Sequence, residues 1–135
     1  MKKLLLISFL LMSVFNLHGQ EWISDKTYEE KIHEKSAFGD DEVSIVVVEF
    51  WAKFNDINAF QDWNKVKGIS NYYRCDVAVS PEAKKKYRIR MAPTILIFKD
   101  GILQETFKAG LDLECPVDLE ELQETIDEIK ESSKF

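Results

Sequence analysis

Downstream of residue 20 the apolar positions of this chain follow two different periods. Val43 to Phe50 (VSIVVVEF) is dense in β-branched residues without clean alternation, the pattern of a strand covered on both faces by helices. Tyr72 to Val79 reads as a further strand and Trp22-Ile23 as a short edge strand. Ile95 to Phe98 and Ile102 to Ala109 flank Lys99-Asp100-Gly101. Asp-Gly between two apolar runs predicts an antiparallel hairpin, because both central positions of the favoured turn need positive φ. Between the strands the spacing turns helical. Thr27-x-x-Glu30 is a capping box that predicts a helix to about Lys35, followed by a polar loop from Ser36 to Glu42. Ile57, Phe60 and Trp63 predict a short helix from Ile57 to Lys67, closed near Gly68. Ser80-Pro81, a cap residue with proline at the first helical position, predicts another as far as Tyr87. Val117 and Asp118-x-x-Glu121 form a staple and capping box for a C-terminal helix striped by Leu119, Leu122, Ile126 and Ile129. The resulting order, (β)αβαβαββα, is that of an α/β domain with a central mixed sheet and helices on both faces.

The first twenty residues follow another logic. Lys2 and Lys3 precede an apolar run from Leu4 to about Val14, and the segment closes on Gly19-Gln20. That is the pattern of a secretory signal peptide, and the run falls short of the roughly 20 apolar residues that span a bilayer. The expected organisation is a signal peptide over residues 1–19 and one domain over 20–135, secreted across the inner membrane into the periplasm and soluble after cleavage. A chain of 135 residues accommodates one such domain. Without Lys2 and Lys3, 16 basic residues face 24 acidic ones, a net charge of −8. Such a surface repels phosphate backbones, which argues against nucleic-acid binding. Lys84-Lys85-Lys86 with Arg88 and Arg90 is the one basic cluster, read as a solvated helix face.

Phe50-Trp51-Ala52-Lys53-Phe54-Asn55-Asp56-Ile57-Asn58 directly follows the expected central strand. This segment resembles the thioredoxin signature, Phe-Trp-Ala-x-Trp-Cys-x-x-Cys, with Asn55 and Asn58 in the two cysteine places. VVVEFWA at 46–52, YRIRMAPTILIFKDG at 87–101 and Gly110 extend the resemblance over nearly the whole domain. It implies a thioredoxin-like fold, a cis peptide bond between Ala92 and Pro93 facing the signature segment, Thr94 behind it, and Glu49 at the place of a buried acid. Two departures stand out: the stretch from Asn58 to Asp76 is shortened, and Leu111 to Val117 is inserted. The larger departure is chemical. Disulfide exchange needs an attacking thiolate and a resolving thiol, and an asparagine amide supplies neither.

Cys75 and Cys115 are forty positions apart and form no Cys-x-x-Cys pair. The spacing favours two separate free thiols, while the oxidising compartment leaves open a structural disulfide that would contribute roughly 3–4 kcal/mol. His33 is the only histidine after the signal segment, so neither a Ser-His-Asp arrangement nor a multi-histidine metal site can be assembled readily. No phosphate-binding glycine loop or dinucleotide fingerprint is present, and no cofactor is implied. What remains is a face. Trp51, Phe54, Asn55, Ile57 and Asn58 are expected to lie beside Ala92 and Pro93, where thioredoxin-like proteins hold an extended polypeptide, and that mode of binding needs no thiol. The expected function is binding of a protein or extended peptide, as a complex subunit or a holdase, and not enzymatic. Two alternatives stand beside it: a divergent thiol oxidoreductase using Cys75 or Cys115, and a structural spacer or oligomer subunit.

Overall fold

The computed structural model describes residues 21–34 and 43–132. The expected signal segment lies outside the described residues, as do the 36–42 loop and Lys35 at the end of the first expected helix. Five strands form one sheet: β1 (Glu21–Ile23), β2 (Ile45–Trp51), β3 (Asn71–Asp76), β4 (Thr94–Lys99) and β5 (Ile102–Lys108). Their spatial order is β1-β3-β2-β4-β5. β1 and β2 run parallel to β3, whereas β4 runs antiparallel to both β2 and β5. Three helices complete the described fold: α1 (Tyr28–Ile32), α2 (Pro81–Lys86) and α3 (Leu119–Ser132).

β2 is central and every residue from Ile45 to Phe50 is buried, as its apolar run, interrupted only by Glu49, leads one to expect. Val46, Val48 and Phe50 point to one side, where they pack with Tyr73, Cys75, Leu96 and Phe98 under Ile32 of α1 and Ala83 of α2. Ile45 and Val47 point to the other, where Ile95 and Ile97 meet Phe60, Trp63 and the α3 residues Leu122 and Ile126. Burying each such aliphatic or aromatic side chain stabilises the fold by about 1.5–3 kcal/mol. The Asp-Gly turn forms as its residues dictate: Asp100 at φ +50° and Gly101 at φ +81° join β4 to β5. A Cβ on Gly101 would also sit 1.9 Å from the exposed His33 ring, which would have to move aside. At α3 the Asp118 carboxylate accepts the Glu121 N–H at 2.8 Å, and Val117 and Leu122 share the apolar cluster, so staple and cap both form.

Three expectations are corrected. The Thr27 capping box is not made: the Thr27 hydroxyl accepts from Ser24 N–H at 3.0 Å and turns back on the loop before α1. Ser80 precedes Pro81 at the start of α2 but does not cap it; Asp25, from the turn after β1, accepts the Glu82 and Ala83 N–H groups at 3.1 and 2.8 Å. The helix expected from Ile57 to Lys67 is absent. Two 3-10 turns, Lys53–Asn58 and Trp63–Lys65, stand in its place. The helical spacing of Phe60 and Trp63 reported burial and not helix, for both are buried. Ala59 is extended (φ −63°, ψ 151°) and the Phe60 N–H is committed to the Glu49 carboxylate at 2.7 Å, so the helical ladder cannot propagate.

α2 ends in a Schellman arrangement, with Ile89 N–H on Lys84 C=O at 2.9 Å and Arg88 N–H on Lys85 C=O at 3.2 Å. The residue that turns the chain is Arg88, at φ +54°. A left-handed conformation is costly for any residue with a Cβ. Arg88→Gly is therefore expected to stabilise the domain by about 1 kcal/mol in denaturant titration, after allowing for glycine's greater freedom in the unfolded chain. A loss of stability would show that the Arg88 side chain contributes more than its backbone costs.

Candidate functional site

The end of β2 delivers the signature segment. Trp51 is half-buried, its indole N–H donates to the Asp56 carboxylate at 2.7 Å, and its ring meets that of Trp22 edge-on, 5.0 Å between centroids and 78° between planes. After Ala52 the chain tightens into the Lys53–Asn58 turn, interrupted at Asn55 (φ −119°, ψ 26°). That interruption divides the segment's side chains. Asn55 is buried, while Phe54 and Ile57 on either side are 78% and 87% exposed.

The buried amide is fully committed. Asn55 Nδ2 donates to Ala92 C=O at 2.9 Å and to Leu113 C=O at 2.8 Å, and its Oδ1 accepts from Asn58 Nδ2 at 2.8 Å. One side chain thus ties three segments together: the signature turn, the loop before β4 and the 110–113 loop. The Ala92–Pro93 bond is cis and both residues are buried. Pro93 C=O accepts from Ala109 N–H at 3.2 Å, and the Thr94 hydroxyl donates to Met91 C=O at 2.6 Å. A thiol at position 55 could not make this bridge, since it offers a single weak donor where the amide offers two strong ones.

Of the seven face residues read from the sequence, the structure brings Asn55, Ala92 and Pro93 into contact but seals them in. Phe54 and Ile57 stand outside, and Trp51 and Asn58 are half-buried. Ala92, beside which the resemblance implies an extended polypeptide, already gives its carbonyl to the Asn55 amide. Sequence reasoning passed over Leu111, which is 91% exposed on the loop that Asn55 anchors, and Trp22 and Val79, also exposed. The signal for the loop was present in Leu111-Asp112-Leu113-Glu114, apolar residues alternating with acids within the inserted segment.

Glu49 lies behind the turn with no exposure. Its carboxylate accepts from Phe60 N–H and from Arg74 Nε, each at 2.7 Å. The strand register explains the second contact, since Glu49 and Arg74 are direct partners across β2 and β3. Burial nevertheless raises the Glu49 carboxyl above its ordinary value, against the lowering effects of the Phe60 N–H and the Arg74 charge. Cys75 and Cys115 are both free. Cys75 belongs to the cluster under α1 and α2, and Cys115 packs on the opposite face of the sheet against the cluster under α3, so the structural disulfide left open by their number is not formed. Burial pushes both thiols up, and Cys115 Sγ donates to Val117 C=O at 3.3 Å. Neither has the depressed pKa of a reactive cysteine. Among the described residues, no group of three or more His, Cys, Asp or Glu side chains is placed to hold a metal ion.

Asn55→Ala should cost about 2–4 kcal/mol in chemical denaturation, because it strands two inward-facing carbonyls, and should speed amide exchange in the 110–113 loop. A cost within about 0.5 kcal/mol would show the bridge to be incidental. Glu49 gives a pH signature of its own. A carboxyl raised in the folded state favours folding most when protonated, so the advantage of the native chain over Glu49→Gln is greatest below the ordinary value of 4.5 and shrinks as pH rises through the raised folded value. An advantage that grows with pH would mean that Arg74 outweighs desolvation.

No family model matches the sequence, and no curated protein matches it. Among solved structures, the fold is similar to that of a mutant thioredoxin from Halobacterium salinarum NRC-1, with a TM-score of 0.62 and 16% sequence identity over 82% of this chain and 90% of that one. At that identity the likeness is one of architecture, and with its mixed five-stranded sheet flanked by helices the chain has a thioredoxin-like α/β fold.

Proposed function

We propose that this domain is a thioredoxin-like binding module that works without dithiol chemistry, docking a partner polypeptide through the side chains around its signature turn. The observation that carries this reading is Asn55. At the place where the resemblance would put the attacking thiol stands a buried amide with every donor spent on structure. The residues flanking it are the opposite: Phe54, Ile57 and, across the Asn55 bridge, Leu111 offer large apolar side chains to solvent. Exposed apolar groups gathered at one end of a domain are characteristic of an interaction surface. Because Ala92 C=O is occupied, the partner is held by apolar side-chain contact in place of strand addition. The domain acts after export, in the periplasm, as a complex subunit or as a holdase for exported chains. The Lys2-Lys3 and Leu4–Val14 pattern supports that location.

Two measurements test the proposal. The native domain should reduce insulin disulfides no faster than a variant with Cys75→Ser and Cys115→Ser; activity that disappears in the variant would make the distant cysteines a redox centre. Peptides selected from a random displayed library should lose about tenfold or more in affinity on Phe54→Ala, as expected for an aromatic anchor. Stability should change by no more than about 0.5 kcal/mol, since the ring is largely in solvent already. Unchanged affinity would remove Phe54 from the docking face.

A further inference from the structure

Beside the signature turn the chain forms a cleft of about 560 Å³ lined by Trp22, Trp51, Val79, Ser24, Thr27 and Asp76 among others. It opens where the parallel strands β1, β3 and β2 reach their carboxyl ends, at Ile23, Asp76 and Trp51. In open α/β sheets that edge is where ligands settle. We infer that this cleft seats a lysine or arginine side chain of the docked polypeptide, an inference that rests on the reading of the neighbouring face as a docking surface.

Three features select a cation. The two indoles meet nearly at right angles and form an aromatic corner, and tryptophan is the ring that attracts cations most strongly. Trp51 also donates its N–H to the Asp56 carboxylate. The second feature is charge. Asp76 is the one charged residue in the lining; its Oδ1 accepts from Ala78 N–H at 2.9 Å, and among the described residues its Oδ2 has no hydrogen-bond or ion-pair partner. A neutral apolar occupant would desolvate that oxygen without compensation, whereas an ammonium or guanidinium would pair with it. Arg74, whose guanidinium lies 5.8 Å from the Trp22 ring centroid, is already paired with Glu49 at 2.7 Å and reaches Asp56 at 4.0 Å. Asp76 therefore contributes an unpaired negative charge to the cleft, within a domain whose overall charge of −8 favours basic partners.

Shape supports the same occupant. A lysine or arginine can lay its aliphatic stem against Val79 and the indole faces while its head reaches Asp76. The cleft and the exposed turn meet at Trp51, so one bound segment can place an apolar residue against Phe54 and a basic residue in the cleft.

A random heptapeptide library displayed on phage would be selected against the native domain and, in parallel, against Asp76→Asn. The substitution keeps an oxygen for the Ala78 N–H and removes only the charge. Peptides selected on the native domain should be enriched in lysine or arginine at one position. Replacing that residue by norleucine should weaken binding about tenfold, and binding to Asp76→Asn should weaken to a similar extent and lose the preference. Peptides that bind through Phe54 but show no basic preference would overturn the cleft assignment while leaving the docking surface standing. If norleucine binds as well as lysine, the cleft is merely apolar and the assignment fails. Selection of no peptide would overturn the docking reading and this inference together.

Discussion

A carboxylate in the middle of a doubly buried strand governs this end of the molecule. β2 is covered on both faces, so Glu49 has no route to water and must find its partners inside the protein. Leaving such a charge unpaired would cost several kcal/mol. It takes Arg74 from the adjacent strand and the main-chain N–H of Phe60 from the segment that follows. The second contact has the wider consequence, because a backbone donor given to Glu49 is withheld from a helix. The chain after β2 is thereby kept as two short turns, with Phe60 and Trp63 anchored in the core and Phe54 and Ile57 left outside.

Asn55 completes the arrangement. Without a helix to hold the signature turn in place, its position depends on side-chain bonds, and the Asn55 amide supplies them to two other loops at once. Both carbonyls it reaches would otherwise lack a donor from the turn, and an asparagine pointing inward is well suited to the gap in a way that a thiol is not. The same residue that removes nucleophilic chemistry from this position makes the position rigid. Rigidity bears on the proposed docking face, because a preorganised surface loses less entropy on binding.

The two faces of the sheet also keep the cysteines apart. Alternation along β3 puts Cys75 into the cluster beneath α1 and α2, whereas Cys115 arrives from the loop before α3 on the other side. An even count of cysteines leaves pairing open, but a sheet packed on both sides stands between these two sulfurs. Their elevated pKa values follow from the same burial that separates them.

The strands, the Asp100-Gly101 hairpin, α3 and its Asp118 cap were legible from residue pattern, since each depends on neighbours close in the chain or on unbroken apolar runs. The signature segment and its missing thiols were legible in the same way. Other features depend on residues far apart: Asp25 capping α2, Arg74 meeting Glu49, Asn55 reaching Ala92 and Leu113, and Trp22 closing a cleft with Trp51. The Ile57–Lys67 spacing shows how the two levels can disagree, as apolar period reports which side chains are buried but not which partner takes the backbone N–H. By itself the sequence determined the sheet, the hairpin and the asparagines at positions 55 and 58, because local propensity and side-chain identity suffice for these. Tertiary structure alone decided which signature residues face solvent, since that rests on hydrogen bonds between segments that only the folded chain brings together.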